Sequence, residues 1–360
     1  RHARSLAAHS AGVRLVAPGG RSDVADGVER VAVRLSARRA IRFAVTPWAL
    51  LAAHLRRPAP IVYLHDLPLL YLLPVLRLLG RTCVYDVHED YGNLLRHRDW
   101  IPPALRGLAG RAADAYERAF ARAAAGIVAA TGPLLDKFPH RSKAAVYNLP
   151  TGDVIEAGGR ERTPLADREF DLVHLGTFAQ RRMDFFCGVL GRLVRARPDL
   201  RMLVIGAPPA QEALWRSRFG DAVTVVARAA HADVPALLGR CRVGVSVHPW
   251  LTPHLALAVP VKLFEYMACG CAVATSRMPE FERLLDPGDL ARVAVVDGPD
   301  EAAWERTLAR LLGDPEAAGR AAEALRARMA ERYSWSAEEG KLLGLFREVT
   351  GTAAPPGGTR

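Results

Sequence analysis

Short apolar runs that end in polar residues alternate with helical segments along almost the whole chain. The runs GVRLVAP (12–18), PIVYLHD (60–66) and TCVYDVHE (82–89) have the β-branched and aromatic content typical of buried strands. Helical patterns separate these runs, so strand and helix repeat as βα units. This order predicts an α/β fold with mainly parallel sheets, because parallel strands need the crossover connection that a helix supplies.

A second βα series begins with the predicted strand FDLVHLG (170–176). Gly270 is expected to end the helix 262–270 with a positive φ. The other elements predicted for this series are strands at 200–206, 222–227, 243–249 and 271–276 and helices at 182–197 and 300–333. Two doubly wound sheets in tandem predict a cleft, with ligands at the carboxyl ends of the strands.

The chain has 360 residues, enough for about two domains. We predict Rossmann-like domains at 1–160 and 161–335, a closing helix at 336–350 and a disordered tail at 351–360. The Gly-rich, charged stretch 151–169 is interpreted as the linker. Because the sequence opens on a helical pattern and not on Met, we expect the first strand of the N-terminal domain to lie upstream.

The positive charge is concentrated in the first half. Residues 1–165 contain 24 Lys and Arg against 14 Asp and Glu, whereas residues 166–360 contain 25 against 24. This asymmetry indicates a partner with phosphates, such as nucleic acid, an anionic membrane surface or a phosphorylated substrate. Only four of the 49 basic residues are lysine. A coding bias towards arginine therefore explains the residue type, but not the asymmetry.

Cysteine content and hydropathy exclude several classes of protein. Five cysteines without a C-x-x-C pair do not indicate a disulfide scaffold or a zinc site, so a reduced, cytoplasmic setting is expected. The most apolar run, 67–79, is shorter than the roughly 20 residues of a membrane span, and we interpret it as a helix. No signal peptide is expected.

Polar residues at two predicted strand ends of the first half are candidates for catalysis and acceptor binding. His88 and Glu89 follow an apolar strand, where a side chain can hydrogen-bond a sugar hydroxyl or transfer a proton. Their alternative role is to cap the next segment. We assign His65 and Asp66, which have the same placement, to acceptor binding. For Asp66, an N-cap of the following helix is equally consistent.

Candidates for phosphate and donor binding lie at strand ends and at one helix start in the second half. Lys262 and Glu265 open the helix KLFEYMACG, whose free N–H groups and dipole favour a phosphate. Lys262 adds a charge, and Glu265 can accept hydrogen bonds from ribose hydroxyls; a salt bridge between the two is the alternative. The donor candidates are Gly176, Thr177, Arg181, Arg182, Gly206, His248, Lys262, Leu263, Phe264 and Glu265.

The stretch VPVKLFEYMACGCAVATSRMPEFERLL (259–285) resembles the donor-site motif of the family-4 glycosyltransferases, or glycosyl transferases group 1. In many members that pattern reads P-x-K-x-x-E-Y-M-A-x-G-x-P-V-V-A-S. The stretch VYDVHEDYGNLLRHRDWIPPALR (84–106) resembles the acceptor-domain signature of a bacterial subgroup, and ERYSWSAEEGKLLGLF (331–346) resembles the closing helix. HLGTFAQRRMD (174–184) falls where the family has a glycine turn followed by a basic residue. The resemblance implies the GT-B fold, in which two Rossmann-like domains face a cleft.

The resemblance further implies a retaining transferase that moves a sugar from a nucleotide diphosphate to a hydroxyl acceptor, in cell-surface polysaccharide or glycolipid synthesis. Glu265 matches the glutamate that binds the ribose, and His88 matches the histidine that faces the donor sugar. Lys262 and either Arg181 or Arg182 match the cations that neutralise the diphosphate. No cofactor and no metal ion are expected, in keeping with the lack of a D-x-D motif. The basic first domain favours a lipid-linked or phosphorylated acceptor, at the inner face of the plasma membrane.

Two features depart from the family pattern. Leu257 stands where many members have a second glutamate that contacts the donor sugar, and the first strand with its glycine loop is not in this sequence. Two other functions therefore stay open: a nucleotide-sugar 2-epimerase on the same fold, and a degenerate transferase that acts as a binding subunit. Nucleic-acid binding is disfavoured, because the basic residues are dispersed and no recognition motif accompanies them.

Overall fold

The structure is a computed structural model that describes residues 1–10, 12–18, 22–33, 39–98, 100–160 and 163–351. The chain divides into two compact units. The first comprises Arg1–Tyr147 and the chain from Glu338 onward, and the second comprises Asn148–Ala337. The strand expected upstream of residue 1 stays a prediction.

The first unit contains two sheets. Its helices are α1 (His2–Ala8), α2 (Arg39–Arg56), α3 (Leu72–Leu78), α4 (Tyr91–Arg96), α5 (Pro103–Ala121) and α6 (Gly132–Leu135). Its strands are β1 (Val13–Pro18), β2 (Asp23–Ala25), β3 (Val28–Val33), β4 (Ile61–His65), β5 (Thr82–Val87), β6 (Gly126–Ala129) and β7 (Lys143–Ala145). The second sheet is entirely parallel in the order β4-β5-β6-β7, as the βα repetition predicts.

The second unit is built on one parallel sheet of six strands. Its strands are β8 (Phe170–Leu175), β9 (Met202–Ile205), β10 (Val223–Val226), β11 (Cys241–Ser246), β12 (Ala272–Ser276) and β13 (Ala294–Val296). Their order, β10-β9-β8-β11-β12-β13, is the 3-2-1-4-5-6 order of the Rossmann fold. The strands β9 and β10 lie on one side of β8, whereas β11, β12 and β13 lie on the other. The strand order therefore reverses between β8 and β11, and the carboxyl ends of these two strands are the expected position of a ligand.

Helices surround this sheet, and the last one returns to the first unit. They are α7 (Gly152–Arg160), α8 (Gln180–Ala196), α9 (Pro209–Phe219), α10 (Val234–Gly239), α11 (Pro253–Ala256), α12 (Val261–Ala268), α13 (Pro279–Leu284), α14 (Pro287–Leu290), α15 (Glu301–Gly313), α16 (Pro315–Arg332) and α17 (Trp335–Thr350). Short 3-10 helices lie at Leu67–Leu69, Leu165–Asp167, Gly220–Ala222 and His231–Asp233. The core between sheet and helices contains the fully buried side chains of Phe186, Trp215 and Trp304.

Gly270 confirms the predicted end of helix α12. Its φ is +63°, and its N–H donates to the carbonyl of Met267 over 3.0 Å. The next N–H, that of Cys271, donates to the carbonyl of Tyr266 over 2.9 Å. A residue in the left-handed region satisfies the last carbonyls in this way, and glycine adopts that region without a steric cost.

Several predictions of local structure are wrong. The supposed linker 151–169 contains α7, which packs so closely on α12 that a Cβ at Gly158 would lie 2.6 Å from the carbonyl oxygen of Ala268. The segment 67–79 is a 3-10 turn followed by α3, not one helix. The helix predicted over 300–333 is two helices, because Asp314 caps α16 through the N–H of Ala317.

Other differences concern elements that the sequence patterns do not indicate. The strands β2 and β3 form an antiparallel pair around Asp26, and β1 pairs with β3 in a sheet separate from β4–β7. Helix α17 belongs largely to the first unit, where its Phe346 ring lies 5.3 Å from the Tyr63 ring. All but the first residue of the predicted tail 351–360 lie outside the described residues.

Candidate functional site

A glycine directly follows the carboxyl end of each of the strands β8 and β9. Gly176 and Gly206 both have positive φ, +101° and +87°, which side chains rarely adopt. A Cβ at Gly206 would lie 3.6 Å from the Cα of Gly176, and a Cβ at Gly176 would lie 3.7 Å from the Lys262 Nζ. The backbone at Gly176, which no side chain covers, therefore lies close to the ammonium group of Lys262. Phosphate-binding turns likewise present uncovered backbone to their ligand.

Lys262 stands at the start of α12 in a desolvated place. Burial and the charge of Arg182 lower its pKa to about 8, and the charge of Glu265 opposes this shift. Glu265 is itself buried, with 7% of its surface exposed. The side chain is therefore mainly an ammonium at pH 7. An anion bound beside this desolvated charge would be strongly favoured.

Arg182 and His248 complete what we call the cation cluster, which consists of Arg182, His248 and Lys262. The Arg182 Nη1 donates to the Nδ1 of His248 over 2.8 Å, a contact that requires the neutral imidazole. Burial and the charges of Arg182 and Lys262 lower the pKa of His248 to about 3. The backbone N–H of His248 donates to the Ser276 Oγ over 2.8 Å, which ties the end of β11 to the end of β12.

Tyr266 attaches helix α12, which contains Lys262 of the cation cluster, to the sheet. Its hydroxyl accepts from the N–H of Leu175 over 2.8 Å and donates to the carbonyl of Val245 over 3.3 Å, so it bridges β8 and β11 at their carboxyl ends. The ring takes the space of a side chain at Gly244, where a Cβ would lie 2.3 Å from it. Of the adjacent residues Glu265 and Tyr266 in the motif, Tyr266 therefore has a structural role, and Glu265 is the candidate for binding.

His174 was not among the predicted site residues. It is buried in β8, its ring stacks on Phe178 at 3.7 Å, and its Nδ1 donates to the carbonyl of Val245 over 3.2 Å. Burial, together with the nearby cations, holds its pKa well below the ordinary value. The signal in the sequence was a histidine in a strand whose other buried residues are apolar. Its neutral ring adds no charge to the neighbouring cation cluster.

The remaining donor candidates differ in how they are placed. Arg181 lies over the Trp250 ring at 3.8 Å and is exposed, so Arg182 and not Arg181 joins Lys262 in the cluster. Thr177 is exposed beside Gly176. The side chains of Leu263 and Phe264 are completely buried in the core, which leaves their backbone for a ligand.

In the first unit, His65, Asp86 and His88 form a second group, which we call the His–Asp cluster. The Asp86 Oδ2 lies 2.9 Å from the His65 Nδ1 and 3.0 Å from the His88 Nε2. Burial opposes ionisation of Asp86, but hydrogen bonds from the histidines hold its pKa well below the usual range. The hydrogen bond to Asp86 in turn raises the pKa of His88. Asp86 was not assigned a role among the predicted site residues, although it is one of the polar residues near the end of this strand.

Asp66 and Glu89 flank this cluster in sequence. Asp66 has a φ of +74°, and its carboxylate accepts from the Tyr91 hydroxyl over 2.7 Å; it makes no side-chain cap to the following turn. Partial desolvation raises the pKa of Glu89. Asp66 is therefore held by a contact to α4 and does not cap the following 3-10 turn, contrary to the alternative interpretation.

Comparison with known proteins adds to this geometry. Residues 181–343 match the family model described as glycosyl transferase-like. A phosphatidyl-myo-inositol mannosyltransferase from Mycolicibacterium smegmatis is 28% identical over 184 residues, which cover 50% of this chain and 45% of that protein. The chain thus spans about half the length of this curated relative.

Solved structures show the fold of almost the whole chain. Sucrose-phosphate synthase from Thermosynechococcus elongatus aligns over 98% of this chain and 92% of its own, with a TM-score of 0.74 and 17% identity. The Anabaena protein HepE in complex with UDP-glucose aligns over 90% of this chain and 87% of its own, with a TM-score of 0.64 and 13% identity. Both are far below the identity at which a function could be transferred. Within the described residues, no helix combines the length and apolarity that a bilayer crossing demands.

Proposed function

Because residues 181–343 belong to the glycosyl transferase-like family and the chain has the GT-B glycosyltransferase fold, we propose that the protein transfers a sugar from a nucleoside diphosphate donor to a hydroxyl acceptor, with retention of configuration. The observation that carries this proposal is the Lys262 ammonium, 3.7 Å from the Cβ position of Gly176 and beside Arg182. A cluster of cations at the reversal point of a Rossmann sheet suits a diphosphate.

The cation cluster would take the charge that develops on the leaving diphosphate. In our proposal the bond from the anomeric carbon to the diphosphate oxygen breaks, while the acceptor oxygen forms its bond on the same face. The proton of the acceptor passes to the leaving phosphate oxygen. Fixed cations in a desolvated site stabilise such a departure strongly, because they need no reorganisation. In this proposal Lys262 and Arg182 supply these cations, so the departure requires neither a metal ion nor a cofactor.

The nucleoside and the sugar would contact other residues. Glu265, buried one turn after the start of α12, is proposed to accept from the ribose hydroxyls. His88 is proposed to face the donor sugar, and Glu89, whose pKa is raised, to hydrogen-bond a sugar hydroxyl beside it. His65 and Asp66 are proposed for the acceptor. That HepE is found with UDP-glucose supports a nucleotide-sugar donor here.

A nucleotide screen tests the proposal. UDP, GDP, ADP and TDP are added separately at pH 7, and at least one should raise the melting temperature, because a ligand at 100 times its Kd stabilises the folded state by about 2.7 kcal/mol. Lys262→Met should abolish this shift. Products are then analysed with and without acceptors: conversion of the donor sugar without an acceptor would indicate the epimerase, and binding without turnover would indicate a binding subunit. If none of the nucleotides binds, the proposal is wrong.

The pKa of Lys262 gives the same experiment a pH dependence. Since that pKa is about 8, the free site is charged at pH 7 and largely neutral at pH 9. Affinity for the diphosphate should therefore fall about tenfold between pH 7 and pH 9. Lys262→Arg keeps its charge throughout this range, so its affinity should stay constant. Isothermal titration calorimetry at both pH values makes the comparison, and an equal loss in Lys262→Arg would assign the dependence to another group.

We further propose that the acceptor is lipid-linked or phosphorylated, and that the protein works in the cytoplasm at an anionic membrane surface in polysaccharide or glycolipid synthesis. The large apolar residues of the first unit that are more than half exposed include Trp48, Trp100, Leu105 and Leu108. Leu105 and Leu108 lie three apart on α5, hence on one face. Basic residues in the same half of the chain would add about 1 kcal/mol each near anionic lipid.

Flotation with vesicles that contain anionic lipid tests this surface. The double variant Leu105→Ser/Leu108→Ser should lower the partition coefficient at least tenfold, because burying one leucine contributes about 1.5 kcal/mol or more. Leu251→Ser is the matched control, since Leu251 is an exposed leucine of the second unit. Equal partition of the double variant and wild type would refute membrane docking through α5.

A further inference from the structure

The topology of the first unit brings the three side chains of the His–Asp cluster to one place. His65 ends β4 and lies opposite Asp86 of β5 in the register of the parallel pair. His88 follows Asp86 by two residues, which is the spacing that puts side chains of an extended chain on the same face. The three ligand atoms, Nδ1 of His65, Oδ2 of Asp86 and Nε2 of His88, therefore converge.

The distances between these atoms fit a common metal ion. The two nitrogen–oxygen distances are 2.9 and 3.0 Å, and the two nitrogens are 3.3 Å apart. Ligands about 2.0–2.1 Å from a metal ion are separated by roughly 2.9 Å in an octahedral site and roughly 3.3 Å in a tetrahedral one. The triangle formed by the three atoms matches both edges, so the three atoms are spaced as ligands of one ion would be.

The surroundings of Asp86 also favour a bound cation. Asp86 is completely buried, and nitrogens of three histidines lie 2.9–3.3 Å from its Oδ2. Burying a carboxylate is costly, and a divalent ion at the carboxylate balances its charge. The Nδ1 of His2 lies 3.3 Å from the Asp86 Oδ2 and 2.8 Å from the Tyr63 hydroxyl, so further polar groups orient the carboxylate.

We propose that His65, Asp86 and His88 bind a divalent transition-metal ion of the Zn²⁺ class. Two imidazoles and one carboxylate are ligands for Zn²⁺, Co²⁺ or Ni²⁺, whereas Mg²⁺ and Ca²⁺ take oxygen ligands. The side chains of His65 and His88 are 38% and 32% exposed, so the ion keeps an open position towards solvent. Coordination through Nε2 leaves the Nδ1 of His88 for a sugar hydroxyl, so the site is compatible with the role proposed for His88 in transfer.

The test measures bound metal and not activity, so it can fail independently of the proposed transferase. Untagged protein with the present sequence is stripped with a chelator and titrated with Zn²⁺ by calorimetry, and with Co²⁺ by visible absorption. We expect one equivalent of either ion, with absorption bands of Co²⁺ bound to nitrogen and oxygen. His65→Gln removes one ligand at a half-exposed position and should lower the Zn²⁺ affinity at least tenfold.

His97→Gln is the matched control, because His97 is an exposed histidine of the same unit. Its Zn²⁺ affinity should equal that of wild type, and circular dichroism should show the same fold for both variants. The proposal is overturned if stripped wild-type protein takes up less than a tenth of an equivalent of Zn²⁺. It is also overturned if His65→Gln binds Zn²⁺ as tightly as wild type, or if Mg²⁺ competes at the same concentration.

Discussion

Lys262→Met is expected to lower kcat by about 10²- to 10³-fold with the fold intact, because it removes a cation from the place where negative charge develops on the leaving diphosphate. The methionine side chain nearly fills the volume of the lysine stem, so the neighbouring core of α12 should keep its packing. Arg182→Met should lower kcat by a factor of the same order. This substitution also removes the hydrogen bond that Arg182 donates to the Nδ1 of His248. Steady-state kinetics with the donor identified by the nucleotide screen measures both.

Arg192→Met is the control for this pair of variants. Arg192 lies on α8, the helix that contains Arg182, but it is exposed and pairs with Glu301 at the surface. Its turnover should remain within twofold of wild type. If Lys262→Met and Arg182→Met both retain wild-type kcat, the cation cluster does not hold the leaving group.

Lys137→Met is expected to destabilise the first unit by about 3 kcal/mol or more, the usual consequence of removing one partner from a buried ion pair. The Lys137 Nζ lies 2.7 Å from Asp90, 3.3 Å from Asp114 and 3.7 Å from Glu117. These carboxylates are largely buried, so they would lose their shared cation without gaining water. Urea unfolding at pH 7, followed by circular dichroism, measures the loss.

The pH dependence of this loss follows from the pKa shifts. Burial raises the pKa of Asp90, but its hydrogen bond and ion pair with Lys137 outweigh this, and the net pKa is lowered. Its contribution is therefore present above the unfolded value near 3.9 and is lost as the pH falls through the lower folded value. The pKa of Lys137 is raised, so its contribution disappears only as the pH rises past that raised value. The difference between wild type and Lys137→Met should be largest from about pH 5 to 10 and shrink in acid.

An exposed ion pair supplies the control for Lys137. Arg216 and Glu212 lie 2.9 Å apart on the surface of α9, and Arg216→Met should change the free energy of unfolding by less than about 1 kcal/mol. If Lys137→Met also changes it by less than this, the network around Asp90 is structurally dispensable.

The sequence predicted those features that depend on neighbours along the chain. The parallel βα series, the helix from residue 262 and its end at Gly270 follow from local periodicity and from the conformational freedom of glycine. The hairpin of β2 and β3 was missed, because short half-exposed strands have no apolar run to reveal them.

The features that escaped prediction depend on contacts between distant residues. The sequence shows Asp86 near the polar end of β5, but only the pairing with β4 brings His65 to it. The difference between Arg181 and Arg182 arises from the direction in which α8 leaves the sheet, which adjacent positions in a sequence do not show. Stacking of His174 on Phe178 likewise depends on the turn after β8.

The return of α17 to the first unit has a consequence for the order in which a growing polypeptide acquires structure. Everything from Asn148 to Ala337 is contiguous, so this part can fold once the ribosome has released it. The N-terminal part must wait, because Phe346 packs against Tyr63 and the Val349 side chain would lie 2.9 Å from a Cβ at Gly126. We expect the usual N-to-C succession of domain folding to be reversed during synthesis of this chain.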